Sequence, residues 1–324
     1  MRAASTTCAS TRHMCIRMHP FPNASIHIMR RTLHQRNEGI MTSSETQALP
    51  DRKANDGLIL PAIGFGTYKL RGFEGSKAIE SALDNGYRLL DSAVNYDNEG
   101  TVGAAVKNSG VAREDIIITS KLPGRYHNHD QAVETVEESL LRMDLDYIDL
   151  YLIHWPNPLE DQYVEAWETL LELKERGLLR HVGVSNFLPE HIDRLVKATN
   201  VTPAVNQIQL HPYWQQRELK AYDDEHGIIT EAWSPLRRGG ETVKDPAIVA
   251  VADKHGVTPT QVVLRWHVEY GDIPIPKSAT PSRQLENLDV MGFAFDDEDR
   301  AAFAAMDSPD GSRGDFDPRS HQEM

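Results

Sequence analysis

Cysteine is scarce: the 324 residues hold two, Cys8 and Cys15, and both precede residue 41. The chain beyond them has no thiol to form a disulfide, bind a soft metal or attack a substrate, which excludes a disulfide scaffold and a cysteine hydrolase. No run approaches the ~18 consecutive apolar residues of a membrane span. Cations are outnumbered, with 34 Lys and Arg against 48 Asp and Glu and a formal net charge of −14. That balance argues against a broad nucleic-acid surface, because affinity for nucleic acid comes from clustered cations that neutralise phosphates. An anionic ligand must therefore meet a local basic site. Also missing is the Gly-x-Gly-x-x-Gly turn of a doubly wound dinucleotide fold. Gly64-Phe65-Gly66 is followed by neither a third glycine nor a prompt helix, and reads as a tight strand-end turn.

Charge is unevenly placed. Residues 1–40 contain six Arg, no Lys and the single acid Glu38, so residues 41–324 carry 28 basic and 47 acidic side chains. The Arg-rich start lacks an amphipathic stripe and a continuous apolar core, and it holds four Met before Met41. It is expected to be a disordered leader or a mis-assigned start, with a targeting segment as the alternative. A single domain is expected over residues 41–324.

From Leu58 onward, short Val-, Ile- and Leu-rich runs alternate with helical patterns. Asn55-Asp56-Gly57 is a hairpin signal, so residues 47–63 are expected to form a β-hairpin. Eight strands are expected at 62–67, 87–92, 116–121, 148–154, 181–185, 204–210, 228–234 and 273–277. Helical spacing of apolar residues predicts helices at 129–143 and 163–176, with Gly177 as a cap, and at 246–255 and 259–270, the last capped by Thr258. Eight such units in about 260 residues predict a (β/α)8 barrel with its chemistry at the C-terminal ends of the strands.

Three of those strand ends are polar: Asp91, Lys121 and His154, with Tyr96 in the loop that follows Asp91. Alternate residues of a strand share a face, so Asp91 lies with Leu89, Lys121 with Thr119, and His154 with Leu150 and Leu152. If those faces point inward, an acid, an ammonium and an imidazole converge and the Tyr96 hydroxyl can join them. An adjacent ammonium stabilises a phenolate and makes Tyr96 a better proton donor, while His154 offers a second donor to orient a carbonyl. With no nucleophile, metal cage or carboxylate pair evident, the natural reaction is proton delivery to a carbonyl oxygen while a cofactor supplies hydride. The bland alternative is a buried Asp91–Lys121 ion pair, a core His154 and a surface Tyr96.

After the eighth strand, Ile-Pro-Lys-Ser-Ala-Thr-Pro-Ser-Arg (275–283) leads into a helix with Thr280 as N-cap and Pro281 at N1. Arg283 then falls at N3, where a cation opposes the helix dipole. Lys277, Ser278, Arg283 and the free backbone N–H groups read as a phosphate cradle.

These residues, together with Gly-Tyr-Arg-Leu-Leu-Asp-Ser-Ala (86–93), Ile-Thr-Ser-Lys-Leu (118–122), Asp-Leu-Tyr-Leu-Ile-His-Trp-Pro (149–156) and Val-Gly-Val-Ser-Asn-Phe (182–187), resemble the aldo-keto reductase superfamily from about residue 47 to Pro318. The resemblance implies NADP(H), a tetrad of Asp91, Tyr96, Lys121 and His154, and Tyr96 as general acid. It further implies that Ser185, Asn186 and Gln207 hold the nicotinamide carboxamide, that Trp233 stacks on the ring, and that Ser234 and Leu236 follow the diphosphate. Lys277, Ser278, Arg283, Glu286 and Asn287 match the adenosine 2′-phosphate and adenine region. Within the family, Glu-Ala-Trp-Ser-Pro-Leu (231–236), the run 207–218 and Asp-Gly-Ser-Arg (310–313) look most like bacterial 2,5-diketo-gluconate reductases. The short region after Met306 implies an open substrate mouth, with Tyr68, Trp155, Phe187 and Trp214 as its lining.

The expected activity is NADPH-dependent reduction of aldehydes or ketones by a monomeric, cytoplasmic enzyme, with small carbonyl compounds as partners, no metal, no nucleic acid and no membrane. A non-catalytic NADP(H)-binding sensor or interaction subunit is the alternative. His127-x-His129 suggests metal-dependent hydrolysis, but no strand-end set completes a cage around it.

Overall fold

The computed structural model describes residues 49–237, 240–312, 314 and 316–323, all within one compact unit. The expectation for residues 1–40 lies outside the described residues. A two-stranded hairpin comes first: β1 (Arg52–Lys53) pairs antiparallel with β2 (Ile59–Leu60). Gly57 turns it at φ +93°, and the Asp56 carboxylate accepts from the Leu58 N–H at 3.0 Å.

Eight parallel strands follow in one sheet, in simple sequence order. They are β3 (Phe65–Gly66), β4 (Leu89–Asp91), β5 (Ile117–Leu122), β6 (Ile148–Ile153), β7 (Leu179–Ser185), β8 (Val205–Gln209), β9 (Ile229–Trp233) and β10 (Ile273–Pro274). Every expected strand is present. The first and last are shorter than their apolar runs; in the last, Pro274 and Pro276 bring no N–H to the ladder. The barrel closes where the Gly64 N–H donates to Pro274 O at 3.0 Å and the Gly66 N–H to Pro276 O at 3.1 Å. A Cβ on Gly66 would stand 2.8 Å from the Ile275 carbonyl oxygen. The glycine pair is thus the seam that lets the first and last strands touch, rather than the strand-end turn its spacing suggested.

Strand parity separates two environments. Leu90, Ile118, Tyr151 and Ile153 face outward into the large core beneath the helices. Leu89, Leu150 and Leu152 face inward and pack with Ala54, Leu58 and Leu60 of the hairpin, which forms an apolar floor. Helices His129–Met143, Pro246–His255 and Pro259–Tyr270 have the expected bounds, and the fourth expected helix ends at Glu175, one residue short. Asn128, Asp245 and Thr258 each cap an N-terminus with their side chains. Gly177 follows Arg176 at φ +81°. No described helix is long and apolar enough to cross a membrane.

One expectation fails. The segment after Met306 was expected to leave the mouth open, but the described residues after it, 307–312, 314 and 316–323, fold back across it. Asp307 accepts from the Gln215 N–H, Phe316 and His321 pack on Trp155, and the Asn157 side chain grips the Glu323 backbone at both N–H and carbonyl. A short segment covers the mouth because its own backbone groups find partners on the strand-end loops.

The seam is testable by comparing two glycines. Gly66→Ala should lower stability by about 1–3 kcal/mol, the usual cost of forced overpacking. Gly292→Ala, where an added Cβ meets nothing within 4 Å, should change little. Equal effects in urea unfolding would contradict the close approach.

Candidate active site

β4, β5 and β6 end side by side, in a register that pairs Asp91 with Thr119 and Lys121 with Leu152. Their inward positions bring Asp91, Lys121 and His154 together above the apolar floor. The Lys121 side chain is fully buried, and its Nζ donates to Asp91 Oδ1 at 2.5 Å and to Ser92 O at 2.7 Å. Burial alone would push the lysine pKa down; Asp91, Tyr96 and Glu231 outweigh it, so the net shift is upward. Tyr96 ends a single 3-10 turn, Val94–Tyr96, whose chain leaves through Asp97 in the left-handed region. Lys121 Nζ lies 5.0 Å from the centre of the Tyr96 ring. The Tyr68 and His154 rings approach that ring at 5.0 and 6.1 Å.

A second carboxylate stands behind the pair. Gln207 Nε2 donates to Asp91 Oδ1 and to Glu231 Oε2, each at 2.8 Å. The β8–β9 register makes this geometry, because Gln207 sits directly opposite Glu231. Burial, reinforced by the charge of Asp91, pushes the Glu231 carboxyl up to about 7, against the pull of Gln207 and Lys121. One ammonium cannot neutralise two buried carboxylates, so the second holds its proton more tightly.

His154 faces a third acid. Its Nδ1 is 2.7 Å from Glu323 Oε1, in an oblique approach that leaves Nδ1 without an aligned hydrogen bond. Glu323 Oε1 also accepts from Asn95 Nδ2 at 2.7 Å, and Oε2 from the Gly124 N–H at 3.1 Å. Burial raises the Glu323 carboxyl, but His154, Gly124 and Asn95 hold it below the usual carboxylate range.

A polar ledge adjoins this cluster. Ser185 Oγ donates to Gln207 O at 2.8 Å. Asn186, in the left-handed region at φ +62°, donates from Nδ2 to His154 O and Ser185 Oγ, and its Oδ1 accepts from Trp233 Nε1 at 2.9 Å. Trp233 is half-buried, Ser234 is left-handed at φ +54°, and Leu236 packs against the core. A cavity of about 360 Å³ opens beside Trp233 and is lined by Trp155, Asn186, Phe187, Trp214 and Phe316 among others. Phe187 also packs edge-on against Tyr163 and His191. Tyr68 stands on the Tyr96 side and is not part of this cavity's wall.

At the last strand, Lys277 and Arg283 are exposed while Ser278 and Asn287 are buried. Arg283 is the third residue of helix Pro281–Leu288, as expected. Thr280 holds the N-cap position, yet its side chain makes no capping bond; Ser278 Oγ instead accepts from the Thr280 N–H at 3.1 Å. Glu286 accepts from Thr258 Oγ1 at 2.8 Å. The His127-x-His129 pair separates: His127 is buried with its pKa pushed down to about 4 by burial, while His129 is exposed between Asp130 and Glu172. Among the described residues no group of three His, Cys, Asp or Glu could hold a metal ion.

The model described as the aldo/keto reductase family matches residues 62–308. This chain belongs to that family. It is similar to 2,5-diketo-D-gluconic acid reductase B of Corynebacterium sp., at 50% identity over 276 residues covering 85% of this chain and 99% of the relative. Methylglyoxal reductase DkgA of Escherichia coli is 46% identical over 256 residues, 79% of this chain and 92% of that protein. Among solved structures, a point mutant of Gox0644 in complex with NADPH superposes with a TM-score of 0.81 at 41% identity, covering 85% of this chain and all of that one. The protein is accordingly an oxidoreductase of the aldo-keto reductase type.

Several residues of this reductase's site were not singled out from the sequence. Glu231 left a signal, an acid inside an apolar strand on the same face as Trp233. Glu323 left none, and Asn95 and Asn157 could not be tied to it, since it lies 228 and 166 residues away from them and only the fold brings it to them.

The proton held by Glu231 has a thermodynamic signature. Burial pushes its folded pKa up to about 7, above the ordinary glutamate value of ~4.3, so this stabilisation is complete below pH ~4.3 and is lost as pH rises through ~7. Glu231→Gln should remove about 1–3 kcal/mol of that pH-dependent loss, while the part due to Asp223, also raised to about 7 by burial, remains. An unchanged slope of unfolding free energy between pH 4.5 and 7 would contradict a protonated Glu231.

Proposed function

We propose that this aldo-keto reductase uses NADPH to reduce small aldehydes and ketones to alcohols, dicarbonyls of the 2,5-diketo-gluconate or methylglyoxal type among them, with Tyr96 as general acid. The observation that carries this reading is the buried Lys121 ammonium, bonded to Asp91 and 5.0 Å from the Tyr96 ring. Tyr96 gives its proton to the carbonyl oxygen. The phenolate left behind is stabilised by Lys121, which Asp91 keeps charged and in place. His154 orients the carbonyl through the ring nitrogen that does not face Glu323. NADPH, when bound, supplies the hydride.

The ledge fits a nicotinamide carboxamide. The Asn186 amide nitrogen is committed within the protein, and that of Gln207 to two carboxylates, so these amides offer their carbonyl oxygens, as Ser185 offers a lone pair. Acceptors are what a carboxamide NH2 requires. Trp233, its Nε1 fixed on Asn186, presents a ring for stacking, and Ser234 and Leu236 continue along the diphosphate path. Lys277, Ser278 and Arg283 meet the 2′-phosphate, with Glu286 and Asn287 toward the adenine. Trp155, Phe187, Trp214 and Tyr68 shape the substrate mouth.

We read the active unit as a monomer acting in the cytoplasm, without nucleic-acid partners given the net charge of −14. We read residues 41–324 as the reductase domain.

Two variants test the assignment. Tyr96→Phe should keep NADPH binding and lose carbonyl reduction by about 10²- to 10⁴-fold, the usual contribution of general acid catalysis. Near-wild-type single-turnover oxidation of NADPH would refute it, and a wild type that binds NADPH but never turns over would favour the sensor alternative. Arg283→Ala should raise the NADPH dissociation constant roughly ten- to a hundredfold, as loss of a charge-assisted bond implies, while NADH binding changes little. Equal weakening of both cofactors would remove Arg283 from the phosphate site.

A further inference from the structure

The position of Glu323 bears on which carbonyl compounds can approach His154. Its side chain is 11% exposed, and its carboxylate is held by the Asn95 amide, the Gly124 N–H and the 2.7 Å contact with His154. The backbone on either side of this carboxylate is clamped by Asn157, whose Nδ2 donates to Glu323 O at 2.8 Å and whose Oδ1 accepts from the Glu323 N–H at 3.0 Å. This is a seated negative charge, since the same contacts hold the carboxyl below the usual range.

The neighbouring groups do little to offset it. Burial holds His127 at about 4, and it also pushes His321 below the usual histidine range, so neither ring brings a positive charge at neutral pH. Arg319, which lines the adjoining cavity, is 3.1 Å from Glu190 and 3.9 Å from Asp317. Arg125 reaches the far side of Asn95, where its Nη1 donates to Oδ1 at 2.6 Å, and it is exposed to screening by solvent. Lys121 is fully buried and bonded to Asp91.

We propose that Glu323 is a specificity-determining residue, a fixed negative charge beside His154 that favours neutral carbonyl substrates and disfavours those with a carboxylate close to the reacting carbonyl, 2-keto acids above all. The proposal rests on the reductase reading above. A carbonyl oriented by His154 brings any nearby substituent within reach of Glu323. Two like charges about 5–7 Å apart, at the effective permittivity of about 20 that suits partly buried sites, repel strongly enough to change a specificity ratio roughly ten- to a hundredfold. A carboxylate several carbons away from the reacting carbonyl escapes most of that penalty.

The test compares kcat/KM for methylglyoxal and glyoxylate, two small aldehydes of which the second carries a carboxylate directly on the reacting carbonyl, in the wild type, Glu323→Gln and Glu323→Ala, with NADPH. Intrinsic reactivity cancels when the ratio of the two aldehydes is compared between proteins. The wild type should favour methylglyoxal, and Glu323→Gln should shift the ratio toward glyoxylate, the carboxylated aldehyde, about ten- to a hundredfold, mainly through its KM. Glu323→Ala should shift it in the same direction, which keeps the test open if one variant folds poorly; thermal unfolding and NADPH affinity monitor folding. An unchanged ratio in both variants overturns the proposal, as does a wild type that prefers the carboxylated aldehyde. If neither aldehyde oxidises NADPH in the wild type, the reductase reading itself falls, an outcome distinct from reduction of both with an insensitive ratio.

Discussion

Burying one ammonium is the constraint on which the site depends. Lys121 is completely enclosed, and an ion of that size leaves water at a cost of several kcal/mol unless charges and hydrogen bonds replace its hydration. Asp91 and the Ser92 carbonyl replace it directly. Gln207 then fixes Asp91, and Glu231 fixes Gln207. With Glu231 protonated the buried set is nearly neutral, and this is the arrangement a dry barrel can hold. On the proposed role of Tyr96 as general acid, the same arrangement leaves the ammonium free to respond to the negative charge that would develop there. A second permanent anion beside Lys121 would already occupy its field and make the phenolate harder to form.

The apolar floor is part of that electrostatics. Hairpin residues Ala54, Leu58 and Leu60 pack beneath Leu89, Leu150 and Leu152 and close the N-terminal end of the barrel, so the polar cluster meets solvent only from above. Charges at such a site interact more strongly than they would in water. The glycine seam serves the same end: only a strand without side chains at residues 64 and 66 can come close enough to the last strand to seal the wall.

Period-two alternation put Asp91 on a face with Leu89, Lys121 with Thr119 and His154 with Leu150 and Leu152, but it did not say which face points inward, because both faces of these strands are apolar; the packing of Leu89, Leu150 and Leu152 on the hairpin decides it. Helix bounds were readable where a cap and a glycine bracket an apolar stripe, as at Thr258 and Gly271. The seam was not readable: a Gly-x-Gly pair looks alike in a turn and in a strand pressed against another, and the difference lies in Ile275, more than two hundred residues away. The closed mouth was missed for a related reason. Short length suggested that the last segment could not reach the site, but reach is decided by where the backbone finds partners, and Asn157 and Gly124 carry no sequence signal for that role.

Charge is distributed so that the acidic surface and an anionic cofactor are compatible. The exposed cations Lys277 and Arg283 lie at the helix following the last strand, away from Glu323 at the mouth. Arg283 gains nothing from its own helix, whose N-terminal dipole repels it, and Thr280 does not cap that helix with its side chain. A first turn that combines an unfavourable cation with an unused capping position is poorly optimised for stability alone. It is well suited to an anionic phosphate, which would satisfy the guanidinium and the first-turn N–H groups together.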